Sequence, residues 1–307
     1  MTGFLASYYY FKGYDFRGHP GPLIIDSGAF SAYTLGVSID IRDYARFVTE
    51  VEAIAPGFLF AINLDVIGDA EASYLQWRRL AIEYGVATVP VVHQNGEAPQ
   101  AQIDRYLEDG ATRLCFGGLV GQRSKSLPWV AHGLKYLREV SPDTLVHGLG
   151  VVEGTRASRL PWDSTDSAAG TAATRFAHLR LVAPGGRGGF VSLDLNSSTR
   201  PSRHEAELIR SYGIDPADLR SREGLTPLER NRALTRLAYR TVVREEEVEN
   251  RRRAALRART GSEYPRDVTR FVVQGSTSLA PVVREEMEHP YVPPRTGPGV
   301  LRTKGAR

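Results

Sequence analysis

Three aspartates stand where a buried strand would hand over to a loop. Asp26 follows Pro22-Leu23-Ile24-Ile25, Asp65 follows Phe58-Leu59-Phe60-Ala61-Ile62-Asn63-Leu64, and Asp166 lies in Pro161-Trp162-Asp163-Ser164-Thr165-Asp166-Ser167. Carboxylates that converge from separate strands do one of two things. They hold a hard cation such as magnesium, which prefers oxygen ligands. Or they share work on a glycosidic bond, one attacking the anomeric carbon and the other moving the leaving group's proton. The number of carboxylates alone does not separate the two. Glycines mark the same strand ends. Ser27-Gly28-Ala29-Phe30 continues from Asp26, and Gly117-Gly118-Leu119-Val120-Gly121 continues from Arg113-Leu114-Cys115-Phe116. A bare Gly-Gly there lets a flat ligand come close to backbone N–H groups. No G-x-G-x-x-G follows a strand, so a dinucleotide fingerprint is excluded. His93-Gln94 ends Thr88 to Val92, and His147 sits in Leu145 to Gly150. Both histidines also read as core residues, and His147 is given no catalytic role. Phe30 and Tyr33 would stack on a planar ligand or pack the mouth of the site.

These residues need a scaffold that brings many strand ends to one face. Apolar runs end at polar or glycine-rich residues and alternate with helical spacing, as in Ile41 to Ile54, where Tyr44, Phe47, Val48 and Val51 share a face. Gly85 and Gly110 stop the next two helices, near Ala70 to Tyr84 and Ala101 to Asp109. Phe4 to Phe11 reads as the first strand, Phe190 to Leu195 and Val268 to Gln274 as later ones. Strands alternating with helices predict a parallel sheet. Loaded loops at so many strand C-termini predict a closed TIM-type (β/α)8 barrel, irregular in places, rather than a doubly wound open sheet. Residues 1–200 are read as the barrel. Residues 201–292 are read as a helical, Arg-rich extension that could complete it, and 293–307 as a basic, disordered tail.

With 307 residues, 24% of them charged and a net charge of +4, the chain reads as a soluble globular protein. Its one cysteine, Cys115, rules out an intramolecular disulfide and a cysteine-rich zinc site. No apolar run approaches membrane-spanning length, so a cytoplasmic protein without membrane contact is expected. The positive excess lies late in the chain. Arg251, Arg252, Arg253 and Arg257 read either as a solvated helix face or as a grip on nucleic acid.

Taken in order, Asp26-Ser27-Gly28-Ala29-Phe30, Asn63-Leu64-Asp65, Val91-Val92-His93-Gln94, Gly117-Gly118-Leu119-Val120-Gly121, Gly148-Leu149-Gly150 and Trp162 to Asp166 form a pattern. It resembles the tRNA-guanine transglycosylase superfamily, over about Leu23 to Ser167. The resemblance is closer to the shorter branch from phages and DNA-modification clusters (host cytoplasm, if phage-encoded), which exchanges guanine in DNA for a 7-deazaguanine such as preQ0. It implies a TIM barrel, no cofactor, and a covalent glycosyl-enzyme intermediate on Asp166, with Asp163 as the competing candidate. Asp26 would move protons to and from the bases. Asp65 would accept from the N–H edge of the base, Gly118 would donate to its carbonyl, and His93 or Gln94 would complete recognition, with Ser27, Gly28, Phe30, Gly117 and Leu119 lining the pocket. The zinc site of the tRNA enzymes, three cysteines and a histidine, cannot exist here, which favours DNA as partner over tRNA. Guanine exchange in tRNA is the second expectation. A third is an inactive barrel that binds nucleic acid or a partner protein, and a partner or homodimer remains open for the first.

Overall fold

The computed structural model describes residues 2–94, 97–118, 123–151, 155–176, 178–183, 189–195, 200–220, 225–274 and 276–292. Leu119, most of the glycine-rich stretch at 185–189 and the expected tail at 293–307 lie outside them. The chain opens with β1 (Gly3–Ser7), a short α1 (Tyr8–Phe11), β2 (Leu23–Asp26), α2 (Ala29–Thr34) and α3 (Ile41–Ile54). Then come β3 (Phe58–Ile62), α4 (Ala70–Tyr84), β4 (Thr88–Val89), β5 (Val91–Val92) and α5 (Pro99–Glu108). β6 (Arg113–Phe116), α6 (Arg123–Val140), β7 (Leu145–Gly148) and β8 (Ser164–Ser167) follow.

All pairings in the main sheet are parallel, and they close it. β4 pairs with β3 and β5 with β6, while β4 and β5 flank Pro90 in one run of chain. Proline has no N–H to give the ladder, so it splits one stave into two short segments. Its carbonyl still accepts from the Cys115 N–H at 2.9 Å. The expected TIM-type barrel is therefore present. Side chains alternate along each stave. Leu5, Ile24, Ile62, Val91, Cys115 and Phe271 fill the barrel interior, while Phe4, Ala6, Leu23, Ile25 and Ala61 pack outward under the helices.

Local signals explain the helices. Asp40 caps α3 by accepting from the Arg42 and Asp43 N–H groups, and Gly85, at φ 66°, ends α4. One expectation fails: Phe4 to Phe11 is not one strand. The ladder to β2 ends at Ser7 opposite Asp26. Past that point no ladder pairing continues among the described residues, and Tyr8–Phe11 is helical instead. Tyr8 then packs edge-on against Tyr44 and Phe47.

After β8 the chain leaves the barrel through α7 (Ala169–Phe176), an antiparallel hairpin β9 (His178–Val182) and β10 (Phe190–Asp194), and α8 (Arg203–Arg210). The strand expected over Phe190 to Leu195 is β10, and Asp194 is its last residue. Leu179, Leu181, Leu193, Leu208 and Ile209 give this flank its own apolar core, shared with Leu234 and Leu237 of α9 (Pro227–Thr260). Helix α9 is 34 residues long, about 51 Å. Its later half returns to the barrel, which β11 (Thr269–Gln274) closes by pairing with both β1 and β8 before α10 (Ala280–Glu288).

The arginine stretch belongs to this second half, and its placement takes Arg253 out of the expected grip on nucleic acid. Arg253 is 1% exposed. It pairs with Glu249 at 2.8 Å and donates to the carbonyls of Trp162, Arg266 and Leu160, which lead into β8 and β11. Arg257 pairs with Asp267 at 2.8 Å and Arg252 with Glu249 at 2.7 Å, while Arg251 is exposed. Arg253 and Arg257 thus stitch the helix to the N-terminal ends of the strands, opposite the face where Asp26 and Asp166 emerge. Removing one partner of a buried ion pair costs about 3–5 kcal/mol. Arg253→Ala should lower unfolding stability by that amount in urea titrations, without weakening nucleic-acid binding by the folded fraction. A loss of affinity with unchanged stability would restore the binding role.

Candidate active site

Asp26 sits at the last ladder position of β2, and Gly28 shapes the turn after it. Gly28 is left-handed at φ 77°, and a side chain there would strike Ser7 Oγ and Tyr9 Cβ, each 2.6 Å away. Its N–H donates to Asp26 Oδ2 at 3.0 Å. That bond and the Ser7 hydroxyl favour the carboxylate, but burial and the nearby charges of Asp166 and Asp65 weigh more. The Asp26 pKa is pushed up to about 6. The three strand-end aspartates therefore share one field, as the sequence suggested.

Asp65 lies three residues past β3. Asn63 Nδ2 donates to its Oδ1 at 2.8 Å and to the Ser73 carbonyl on α4 at 3.0 Å, so the helix fixes the carboxylate. The other oxygen is 3.2 Å from His93 Nε2. Burial opposes a charged imidazole there, but Asp65 outweighs it and holds His93 above its usual pKa. Buried Gln102 of α5 clamps the His93 backbone, accepting from its N–H at 3.0 Å and donating to its carbonyl at 2.8 Å. The His93 ring lies beside Gly117, where an added Cβ would stand 3.4 Å from Nδ1. Gly118 is exposed at φ 78°, and Gln94, also exposed, lies alongside it. Ser27 is buried, with its hydroxyl 3.4 Å from the Ala29 N–H. Phe30 and Tyr33 on α2 are 59% and 64% exposed beside this mouth, which leaves their rings available for stacking.

Asp166 is held by one oxygen. Its Oδ1 accepts from the Gly150 N–H at 3.0 Å and lies 3.2 Å from His147 Nε2. Oδ2 accepts no hydrogen bond among the described residues. His147 is fully buried, flanked edge-on by Phe60 and Phe271, and its Nδ1 is 2.8 Å from Ser164 Oγ. A proton on Nε2, facing the carboxylate, leaves Nδ1 to accept from the Ser164 hydroxyl. His147 is the residue sequence reasoning passed over. Its signal was a polar side chain at an inward position of β7, and a Ser164 on the same strand face as Asp166. Asp163 is separated from this centre. Its Oδ2 accepts from the Val146 N–H at 2.8 Å and pairs with Arg138 at 2.9 Å, at the entry to β8.

Chemically, the mouth offers one anchored carboxylate with a bare oxygen, a second carboxyl that holds a proton up to pH near 6, and a third tied to a histidine. Among the described residues, no three His, Cys, Asp or Glu side chains are grouped to hold a metal ion. Nor is any described helix long and apolar enough to cross a membrane. Neither the family models nor the curated proteins compared with the chain match it.

Proposed function

We propose that this protein exchanges guanine in DNA for a 7-deazaguanine base through a covalent aspartyl-glycosyl intermediate. The observation that carries the reading is the pairing of unlike carboxyls. Asp166 is fixed by His147 and Gly150 with Oδ2 bare, and Asp26 beside it has its pKa raised to about 6. An anchored carboxylate with a bare oxygen, beside a carboxyl that keeps its proton, divides naturally into nucleophile and acid.

Asp166 Oδ2 attacks C1′ of the nucleotide. The C1′–N9 bond breaks, its electron pair goes to the base, and the Asp26 carboxyl supplies the proton to the departing guanine. In the return step the incoming base gives its proton to the Asp26 carboxylate, its nitrogen bonds C1′, and the Asp166 carboxylate is released. Asp65 accepts from the N–H edge of the base, and the Gly118 N–H and His93 serve its carbonyl side. Phe30 stacks on the ring. A base buried in a duplex has to be flipped out to reach such a mouth. Backbone contacts must then come from the loops after the strands, because the later turns of α9 lie at the other end.

The test offers radiolabelled guanine with duplex DNA and, in parallel, with unmodified tRNA. Label in DNA alone supports the proposal. Label in tRNA alone replaces DNA by tRNA as the substrate, and label in neither sinks base exchange by the isolated protein. His147 acts here as a positioning residue. Losing a hydrogen bond to a charged group is worth about 1.5–3 kcal/mol, roughly 10- to 150-fold in rate. His147→Leu should lower kcat by that factor, leave KM for the base within about twofold, and displace the acid limb of the pH–rate profile. His147→Gln should recover part of the rate, and equal rates in both variants would remove the role.

A further inference from the structure

The N-terminal mouth of the barrel, opposite the carboxylates, holds a cavity of about 270 Å³. Phe60 and Phe271 line it from the barrel interior, and Leu59 and Leu145 add apolar wall. Arg113, the first residue of β6, reaches toward β3, its guanidinium 4.4 Å from the centre of the Phe60 ring. The charges around it are already matched to one another. Asp163 pairs with Arg138 at 2.9 Å, Asp267 with Arg257 at 2.8 Å, and Arg266 with Asp143 at 3.1 Å. The Arg113 guanidinium makes no hydrogen bond or ion pair among the described residues, and its contact is the Phe60 ring. It is half-buried, and desolvation pulls its pKa below the usual value despite the opposing influence of Cys115 and Asp163. A guanidinium stays charged at any pH the protein meets, and one that is half-buried against an aromatic ring gains further from an anionic partner.

We infer that this mouth is a binding site for a small organic anion whose acid group pairs with Arg113 and whose flat apolar body rests on Leu59, Leu145 and Phe60. A guanidinium fork matches a carboxylate or a phosphate ester with two parallel hydrogen bonds. Pockets for drug-sized ligands run from about 300 to 1,000 Å³, so this one suits an occupant of about one ring. Arg251, exposed on α9, is not among the residues that line the cavity.

The probes are benzoate and phenyl phosphate, with benzyl alcohol as the neutral counterpart, titrated at constant ionic strength into the full chain. Methyl resonances of Leu59 and Leu145 report occupancy. One or both anions should shift them saturably, benzyl alcohol should not, and the tighter anion names the acid group. Arg113→Gln should weaken the anion at least tenfold, and Arg251→Gln should leave it unchanged. The site is refuted if neither anion gives a saturable shift, if the alcohol binds as well as the anions, or if Arg113→Gln binds like the parent. Should Arg113→Gln not fold, the comparison of anion with alcohol in the parent protein decides by itself.

Discussion

Asp166→Asn should abolish incorporation of labelled guanine, by at least roughly 10⁴-fold, while nucleic-acid affinity stays within about twofold. The size follows from the step removed. An amide nitrogen or carbonyl has little nucleophilicity toward C1′, and the competing candidate is out of place. Asp163 is engaged with Arg138 and the Val146 N–H at the entry to β8, at the other end of the stave. The substitution keeps the shape of the side chain, and the amide oxygen can still accept from the Gly150 N–H, so the fold should survive. Denaturation under conditions that preserve an ester should trap a protein–DNA adduct with the parent and none with the variant. A variant that retains exchange or forms the adduct would show that Asp166 is not the nucleophile.

Asp26→Asn should lower exchange by about 10²- to 10⁴-fold, the usual worth of a positioned proton donor. In the parent, exchange should fall about tenfold per pH unit above roughly pH 6, because Asp26 gives its proton to the leaving base only while it holds one. The same shift acts on stability with a definite sign. The native carboxyl titrates about 6 and the unperturbed value is 3.8, so the folded state binds the proton more tightly. Stability attributable to this group is full below 3.8, declines as pH rises, and has been lost above about 6. The difference is about 3 kcal/mol. Asp26→Asn carries no such charge. It should therefore unfold at higher urea than the parent at pH 7.5, with the gap closing toward pH 4. A variant less stable than the parent at pH 7.5 would mean that the carboxylate is better solvated or better bonded than its burial indicates.

Much of the scaffold could be read from the chain because its signals are local. Ile41 to Ile54 carries its own cap and apolar face, Gly85 its own stop, and Arg113 to Phe116 its own apolar run. The strand-end aspartates could be found for the same reason, since a carboxylate at the end of a buried run is a local anomaly. What could not be read depends on contacts across the molecule. Tyr8–Phe11 is aromatic enough for a strand, and it is the end of the ladder at Ser7 that makes it a helix. The arginines of α9 have the composition of a nucleic-acid grip. Composition does not say which end of a barrel a helix end reaches, nor that Arg253 is needed by the carbonyls of Leu160 and Trp162. His147 looked like any core histidine until Ser164 and Asp166 were seen on either side of its ring.

The return of the chain through β11 has a consequence for how this molecule assembles. The sheet is complete from β1 through β8 once Ser167 has been made, but it is still open. β1 and β8 each present an unpaired edge until Thr269–Gln274 arrives between them, after the hairpin, α8 and α9 have been synthesised. Unpaired parallel edges invite pairing with other chains. Contacts as distant in sequence as Gly3 with Phe271 make closure a slow, late event. The flanking subdomain, with an apolar core of its own, can condense before closure and deliver α9 already formed against the open side. Nascent chains released before β11 should therefore be the aggregation-prone species, and chains released after it should not.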